Sequence, residues 1–195
     1  TVGDLFADTG QYLSHAGWSL VIIYNSPSTA GHYLYLYDYF AFNGGNTNLD
    51  FDWDGVPGGD VTDFIIPEPI RDKNGNIIET VAARITCFIG EGDDIYDGDY
   101  LKITGQQSSN FKYLSNSASP WNDIWNGASP DMTNPGIDVD TFEVLWTDDI
   151  LRPKDTSLHM DMWSETDAWN FIYLIISVRS ETLTSGTTHY FINRY

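Results

Sequence analysis

The sequence predicts an all-β fold, an antiparallel β-sandwich or jelly roll with long loops rich in Asp, Gly and Asn. About nine or ten short segments are apolar or alternate between apolar and polar residues, which is typical of strands. Clusters of Asp, Gly, Asn and Pro separate these segments, as turns separate the strands of a sandwich. No apolar pattern longer than two turns requires a helix.

The first predicted strand covers residues 17–24, where the run is apolar on both sides. We therefore expect Leu20 and Ile22 in the core. Residues 32–42 alternate Tyr with Leu and Phe, and this pattern predicts a strand with a tyrosine face and an aliphatic face.

The remaining predicted strands follow in order along the chain. We expect Ile85, Cys87, Leu174 and Ile176 to lie inside the sandwich. Residues 106–120 are polar and predict a long exposed loop, while residues 140–151 suit either a strand or a helix. The predicted strands are residues 61–66, 77–89, 99–104, 142–146, 157–163, 170–178 and 187–192.

The organisation of the chain is simple. No repeat or linker divides residues 1–195, which predicts a single domain. Thr1 is not a natural initiator, so we expect a processed or excised chain, and a missing N-terminal portion or anchor fits this expectation. No apolar run is long enough to cross a bilayer, so we expect no membrane insertion by this segment.

Charge excludes several classes of partner. The chain has 28 acidic and nine basic residues, a net charge of −19. Such a surface repels nucleic-acid phosphates and anionic lipids. Among the acids, 22 are Asp and six are Glu, and Asp is both a turn former and a short-armed calcium ligand. Loop formation alone or loop formation with calcium would explain this composition.

One motif has the spacing of a calcium loop. Asp50, Asp52 and Asp54 alternate and are followed by Gly55. Alternate carboxylates in a tight loop can converge on one ion, and glycine permits the sharp turn. The usual glutamate at position twelve of such a loop is absent, because that position is Val61, so Asp60 or Asp63 is expected to complete the shell. The alternative is an acidic turn whose carboxylates point outward.

Two further acidic groups are weaker predictions. A second cation site is predicted where five acids fall within nine residues and repel one another unless cations neutralise them. A solvated loop is the alternative, and a third, weaker pair is Asp138 and Asp140. The five acids are Glu91, Asp93, Asp94, Asp97 and Asp99.

Aromatic residues raise the possibility of sugar binding. Trp121 and Trp125 lie four residues apart in a polar stretch and could form a ligand platform, or they could cap the core. Motifs for an enzyme are absent: the sequence contains no nucleophile elbow, no zinc-protease motif and no phosphate loop. The lone Cys87 lies in an alternating segment, which favours a core position over a catalytic thiol.

Several blocks of the sequence are distinctive: Ala16-Gly-Trp-Ser-Leu-Val-Ile-Ile-Tyr-Asn-Ser-Pro, Leu34-Tyr-Leu-Tyr-Asp-Tyr-Phe, Phe88-Ile-Gly-Glu-Gly-Asp-Asp, Gly98-Asp-Tyr-Leu, Val139-Asp-Thr-Phe and Arg179-Ser-Glu-Thr. With these blocks the chain resembles a group of prokaryotic secreted and cell-surface proteins. The resemblance implies a β-rich fold and a place in the envelope or outside the cell, and it assigns no catalytic residues.

Together these features predict an extracellular or cell-surface structural or adhesive module stabilised by calcium, such as a subunit of a surface layer or filament. Its expected partners are copies of itself, other surface proteins or glycans. A calcium-dependent carbohydrate-binding module is the alternative, and a glycan-active enzyme such as a glycoside hydrolase is third, because paired carboxylates are common in so acidic a chain.

Overall fold

The computed structural model describes residues 19–24, 31–92, 95–130, 132–133, 137–179 and 189–194, with the backbone alone for 132–133 and 189–194. Within these residues the chain forms twelve strands, one 3-10 helix (Trp146–Asp148) and no α-helix. The strands are β1 (His32–Asn43), β2 (Thr47–Asn48), β3 (Gly59–Thr62), β4 (Val81–Gly90), β5 (Tyr100–Gly105), β6 (Phe111–Tyr113), β7 (Ala128–Ser129), β8 (Met132–Thr133), β9 (Ile137–Leu145), β10 (Ser157–Ser164), β11 (Trp169–Arg179) and β12 (His189–Arg194).

The first sheet has the strand order β12-β1-β11-β4-β9. Neighbouring strands are antiparallel except β12 and β1, which are parallel. This pair departs from the predicted antiparallel pattern. Because β11 runs antiparallel to β1, a chain that reverses after β11 runs parallel to β1, and one edge of β1 is already filled by β11.

The second sheet has the order β2-β10-β5-β6, and β3 also pairs with β10, at the opposite end of that strand from β2. All of its pairs are antiparallel. β2 and β3 therefore pair with different parts of the same edge of β10, and the segment between them leaves the sheet as a loop. A small ribbon of β7 and β8 completes the described strands.

One core lies between the inner faces of the two sheets, which confirms the predicted β-sandwich. The strands of the second sheet alternate cleanly: Leu101 and Ile103 are buried in β5, as are Met160 and Met162 in β10. Antiparallel sheets with one wetted face give this alternation.

The tyrosine face of β1 is the inner face. Tyr35, Tyr37 and Tyr39 are buried, whereas the outward Phe40 and Phe42 are exposed. The Tyr39 ring stacks on Phe171 with centroids 5.1 Å apart. The Tyr37 hydroxyl donates a hydrogen bond to the carbonyl of Thr62 on the other sheet. Buried tyrosines are tolerated where the hydroxyl finds such a partner.

The predicted core residues divide into two groups. Ile85, Cys87, Leu174 and Ile176 are fully buried, as predicted. The prediction for Leu20 and Ile22 is wrong, because both side chains are 70% exposed. Residues 19–24 form no strand, and residues 17 and 18 lie outside the described residues. An apolar run alone therefore did not secure a place in the sheet.

Two intermediate segments also differ from expectation. The ambiguous stretch 140–151 continues β9 to Leu145 and then turns through the 3-10 helix. The predicted loop 106–120 contains β6, which adds an edge strand to the second sheet. β6 has only three residues, too few for an alternating pattern to distinguish it from a loop.

Candidate metal site and aromatic surface

The segment between β2 and β3 is a closed loop on the edge of the second sheet. The amide of Leu49 donates to the carbonyl of Met162 at 3.0 Å, and the amide of Gly58 donates to the carbonyl of Leu49 at 3.1 Å. Gly58 has a φ of +92°, and a Cβ there would lie 2.8 Å from the Met160 carbonyl oxygen, so this position requires glycine.

A buried aromatic side chain anchors the same loop in the core. Phe51 is fully buried, and its ring meets those of Tyr39 and Phe171 edge to face, with centroids 4.8 and 5.5 Å apart. Its neighbours Asp50 and Asp52 consequently emerge on the opposite side of the chain, as alternation in an extended segment requires. The loop is therefore fixed at its base and in its middle.

The carboxylates of Asp50, Asp52 and Asp54 converge. One ligand oxygen from each lies within 4.8 Å of the other two. A second set of contacts holds these side chains in place, because each carboxylate also accepts a backbone amide. Asp50 Oδ2 accepts from Gly55 at 2.9 Å, Asp52 Oδ2 accepts from Asp60 at 2.7 Å, and Asp54 Oδ1 accepts from Val56 at 2.7 Å.

The carboxylate oxygens that do not accept these amides carry negative charge that a bound cation would balance. Asp50 Oδ1 and Asp52 Oδ1 are buried and have no hydrogen-bond partner among the described residues. Two unit negative charges about 4 Å apart repel by about 1 kcal/mol even in water. An arrangement of fixed, converging carboxylates with unsatisfied oxygens could hold a metal ion.

Asp60 and Asp63, expected to complete the shell, do not join the converging oxygens in the described part of the chain. The Asp60 carboxylate lies 2.8 Å from Nδ1 of His159, and the backbone amide of Asp60 contacts the loop instead. Asp63 has a φ of +67°, and its Oδ2 accepts from the Thr62 hydroxyl at 3.3 Å. Sequence distance alone did not distinguish a side-chain ligand from a backbone donor.

The second predicted group does not form one site among the residues that are described. Asp93 and Asp94 lie outside the described residues. Asp97 is exposed, Asp99 is fully buried and Glu91 is half-buried. These three carboxylates do not form a converging group. Gly98, with a φ of +102°, separates the exposed Asp97 from the buried Asp99, and β5 begins after Asp99 at Tyr100.

Asp99 instead belongs to a second set of acids, which we call the buried acidic group: Asp99, Asp138 and Asp140 are fully buried, and Asp123 is half-buried beside them. The backbones of Asp99 and Asp123 form an isolated parallel β-bridge. Asp138 Oδ2 accepts from the Gly127 amide at 3.2 Å, and Asp140 Oδ1 accepts from Asn116 Nδ2 at 2.8 Å. Asp138 and Asp140, the third predicted pair, occupy alternate inward positions of β9.

Burial controls the ionisation of this group. Desolvation raises the pKa of Asp99 to about 7 and that of Asp138 to about 8, with the neighbouring carboxylate of Asp123 adding to both shifts. Desolvation also raises the pKa of Asp140. Asp99 therefore loses its proton around neutral pH rather than in acid, and Asp138 loses its proton about one pH unit higher.

The two tryptophans divide between the two predicted alternatives, a ligand platform and a place in the core. Trp125 is fully buried and contacts Phe142 and Trp169 edge to face. Trp121 is 52% exposed, and its ring lies 5.1 Å from that of Tyr113. The two residues are four apart in a segment without helical structure, so their side chains do not share a face.

Trp121 belongs to a larger set of rings on the outer face of the second sheet, which we call the aromatic surface. Sequence reasoning missed it because its members come from β5, β6 and β10, which are distant in sequence. The alternation of Tyr100 with the buried Leu101 was the available signal for an outward ring. The aromatic surface consists of Tyr100, Phe111, Tyr113, Trp121 and Trp163.

Comparison of the chain with protein-family models, with curated proteins and with solved structures finds no match. Among the residues that the structure describes, no helix has the length and apolar character needed to span a bilayer. The geometry of the metal site and of the aromatic surface is thus the basis for a functional proposal.

Proposed function

We propose that this chain is a calcium-stabilised extracellular module with a structural or adhesive role. The observation that carries the proposal is the convergence of Asp50, Asp52 and Asp54, each held by a backbone amide. Carboxylate oxygens on a loop are the ligands that calcium prefers, and its flexible coordination accepts backbone carbonyls or water at other positions.

The proposed location follows from the supply of calcium. The chain has one cysteine, so no intramolecular disulfide can stabilise it, and a bound metal ion would supply stability in its place. Extracellular calcium modules have dissociation constants of about 10⁻⁴–10⁻³ M, and this range suits a loop that remains partly open to solvent. The resemblance of the blocks at residues 16–27 and 34–40 to secreted and cell-surface proteins supports the same location.

Calcium binding is tested by isothermal titration with the Asp52→Asn variant. Asparagine keeps an oxygen that accepts the Asp60 amide, so the loop contact survives while one negative charge is lost. We expect Asp52→Asn to weaken calcium binding at least tenfold. The matched control is Asp63→Asn, which removes the same charge nearby but lies outside the converging group. Equal affinity in the two variants, or no calcium binding by the parent chain, would contradict the calcium site.

The structural role draws support from the edge of the first sheet. In the described chain β12 pairs with β1 and no strand pairs with its other edge. Such an edge can accept a strand from another copy. We expect concentration-dependent assembly in millimolar calcium, measured by light scattering and electron microscopy. A chain that stays monomeric at all concentrations and adheres to no surface would overturn this role and leave the calcium site untouched.

A further inference from the structure

The aromatic surface is a continuous set of rings. Tyr100 and Trp163 are direct cross-strand partners, and their rings are nearly parallel, at 15°, with centroids 6.4 Å apart. Tyr113 contacts Tyr100 at 5.1 Å, Phe111 at 5.6 Å and Trp121 at 5.1 Å. Because each ring is held by a neighbour, little side-chain freedom remains to be lost on binding.

The exposure of these rings is unusual for the solvent face of a sheet. Phe111 is 58% exposed and Trp121 is 52% exposed, whereas Tyr100, Tyr113 and Trp163 are half-buried against one another. Outward positions of an antiparallel sheet are ordinarily polar. A contiguous set of exposed rings with a polar border marks an interaction surface.

Polar groups line the same face beside the rings. On β5 and β10, Lys102 and Asp161 are cross-strand partners, and their charged atoms lie 2.7 Å apart. Asp161 also accepts a hydrogen bond from Asn48 Nδ2 at 2.7 Å. Further along β10, His159 Nδ1 lies 2.8 Å from the Asp60 carboxylate. The face therefore offers donors and acceptors at fixed positions next to apolar rings.

The local charge decides which ligand suits this face. Lys102 is already neutralised by Asp161, and Asp60 adds a negative charge beside His159. With a net charge of −19 on the chain, an anionic polymer would be repelled. A neutral chain of pyranose sugars fits both features, because its C–H faces stack on aromatic rings and its hydroxyls bond to paired polar groups.

We propose that the aromatic surface binds a neutral polysaccharide across β10, β5 and β6. This proposal rests on the adhesive role proposed above and names its partner class. Trp121 and Phe111 provide the outer stacking contacts, Tyr100, Tyr113 and Trp163 form the central platform, and the Lys102–Asp161 pair binds sugar hydroxyls. The calcium ligands take no part in the contact.

Affinity gel electrophoresis tests this proposal with hydroxyethyl cellulose, laminarin and mannan in the gel, and with alginate as the anionic counterpart. We expect at least one neutral polymer to retard the chain and alginate to leave its mobility unchanged. Phe111→Ala and Trp121→Ala should each weaken the retardation about tenfold, since each removes one stacking contact. Both residues are more than half exposed, so their truncation removes little from the core.

The control variant is Phe42→Ala, which removes an exposed ring from the outer face of the other sheet and should retain full binding. Asp52→Asn should also retain binding, so failure of the calcium site and failure of the sugar surface are separable. No retardation by any neutral polymer, or equal retardation of all variants, overturns the proposal. Loss of self-association in Phe111→Ala and Trp121→Ala without sugar binding would make the surface a contact between copies and would equally overturn it.

Discussion

Two acidic regions of this molecule have similar composition and opposite chemistry. In the loop between β2 and β3, three aspartates lie at the surface, and their oxygens converge within 4.8 Å. At the buried acidic group, Asp99 and Asp138 are fully enclosed, and desolvation raises the pKa of both. The loop could therefore hold a cation, whereas the buried group keeps its protons to a higher pH than ordinary aspartates do.

The difference teaches that backbone geometry, more than acid count, determines what an aspartate cluster does. Alternation around the buried Phe51 places Asp50 and Asp52 on one side of a closed loop. Alternation in β9 instead turns Asp138 and Asp140 toward the interior. The same two-residue spacing thus produces a site open to ions in one place and, in the other, two enclosed carboxyls whose pKa values are raised by desolvation.

The largest expected effect is a fall in stability as pH rises through the neutral range. Asp99 and Asp138 have folded-state pKa values of about 7 and about 8, above the ordinary 3.8. Between pH 4 and pH 8 the folded state therefore binds more protons than the unfolded state, so the free energy of unfolding decreases with pH. We expect a loss on the order of several kcal/mol between pH 5 and pH 8, measured by urea denaturation in excess chelator.

Variants separate this effect from general charge repulsion. Asp138→Asn should flatten the pH dependence, because asparagine can still accept the Gly127 amide and does not ionise. Asp72→Asn removes the same charge but should leave the slope between pH 5 and pH 8 unchanged. Hydrogen bonds from Asn76 lower the pKa of Asp72, which places its titration below this window. Equal slopes in both variants would mean that the buried group does not retain protons.

The next effect is the loss of stability on removal of calcium. An ion that binds only the folded state stabilises it by about 2.7 kcal/mol at one hundred times its dissociation constant. We expect chelation to lower the melting temperature of the parent chain and of Asp63→Asn, and to have little effect on Asp52→Asn. Calorimetry with and without chelator measures this difference. If chelation leaves the melting curve unchanged after complete metal removal, the loop binds no stabilising calcium. The contrast between a loop that binds cations and a buried group that holds protons would then be lost.

A smaller effect distinguishes the three loop carboxylates. Asp50 and Asp52 each have a buried oxygen that finds no hydrogen-bond partner in the described part of the chain, whereas Asp54 is exposed. Solvent screens an exposed charge more strongly than a buried one. We therefore expect Asp54→Asn to weaken calcium binding less than Asp50→Asn does, as measured by titration calorimetry. The reverse order would place the ion at the outer rim of the loop.

Periodicity in the sequence predicted much of the fold and part of the metal site. The alternation of Leu158, Met160 and Met162 correctly located β10, and the Asp50-Asp52-Asp54 spacing located the converging carboxylates. These features depend on neighbours within a few residues. The aromatic surface and the buried acidic group depend on strand register, which joins Tyr100 to Trp163 across more than sixty positions of sequence.

The failure at Leu20 and Ile22 has the same origin. Local hydrophobicity predicted a buried strand, but burial also requires a partner strand or a face to pack against. The sequence of the segment itself specifies neither of these. The tyrosine face of β1 shows the converse case. Tyr37 is buried and Phe40 is exposed, and burial of Tyr37 is tolerated because its hydroxyl reaches a carbonyl on the opposite sheet, a partner that no local pattern identifies.

The smallest expected signal comes from Cys87, which reports on the buried region from the neighbouring strand. Cys87 is opposite Asp140 in the β4–β9 register and is fully buried. Burial, with a further contribution from the Asp140 carboxylate, raises the pKa of the Cys87 thiol. Since the thiolate is the reactive form, we expect no measurable modification by a chromogenic disulfide reagent in the native state and one equivalent in urea. Rapid native-state modification would show that the interior beside Asp140 opens to solvent. The carboxyls of the buried acidic group would then be hydrated, and the desolvation that raises their pKa values would be lost.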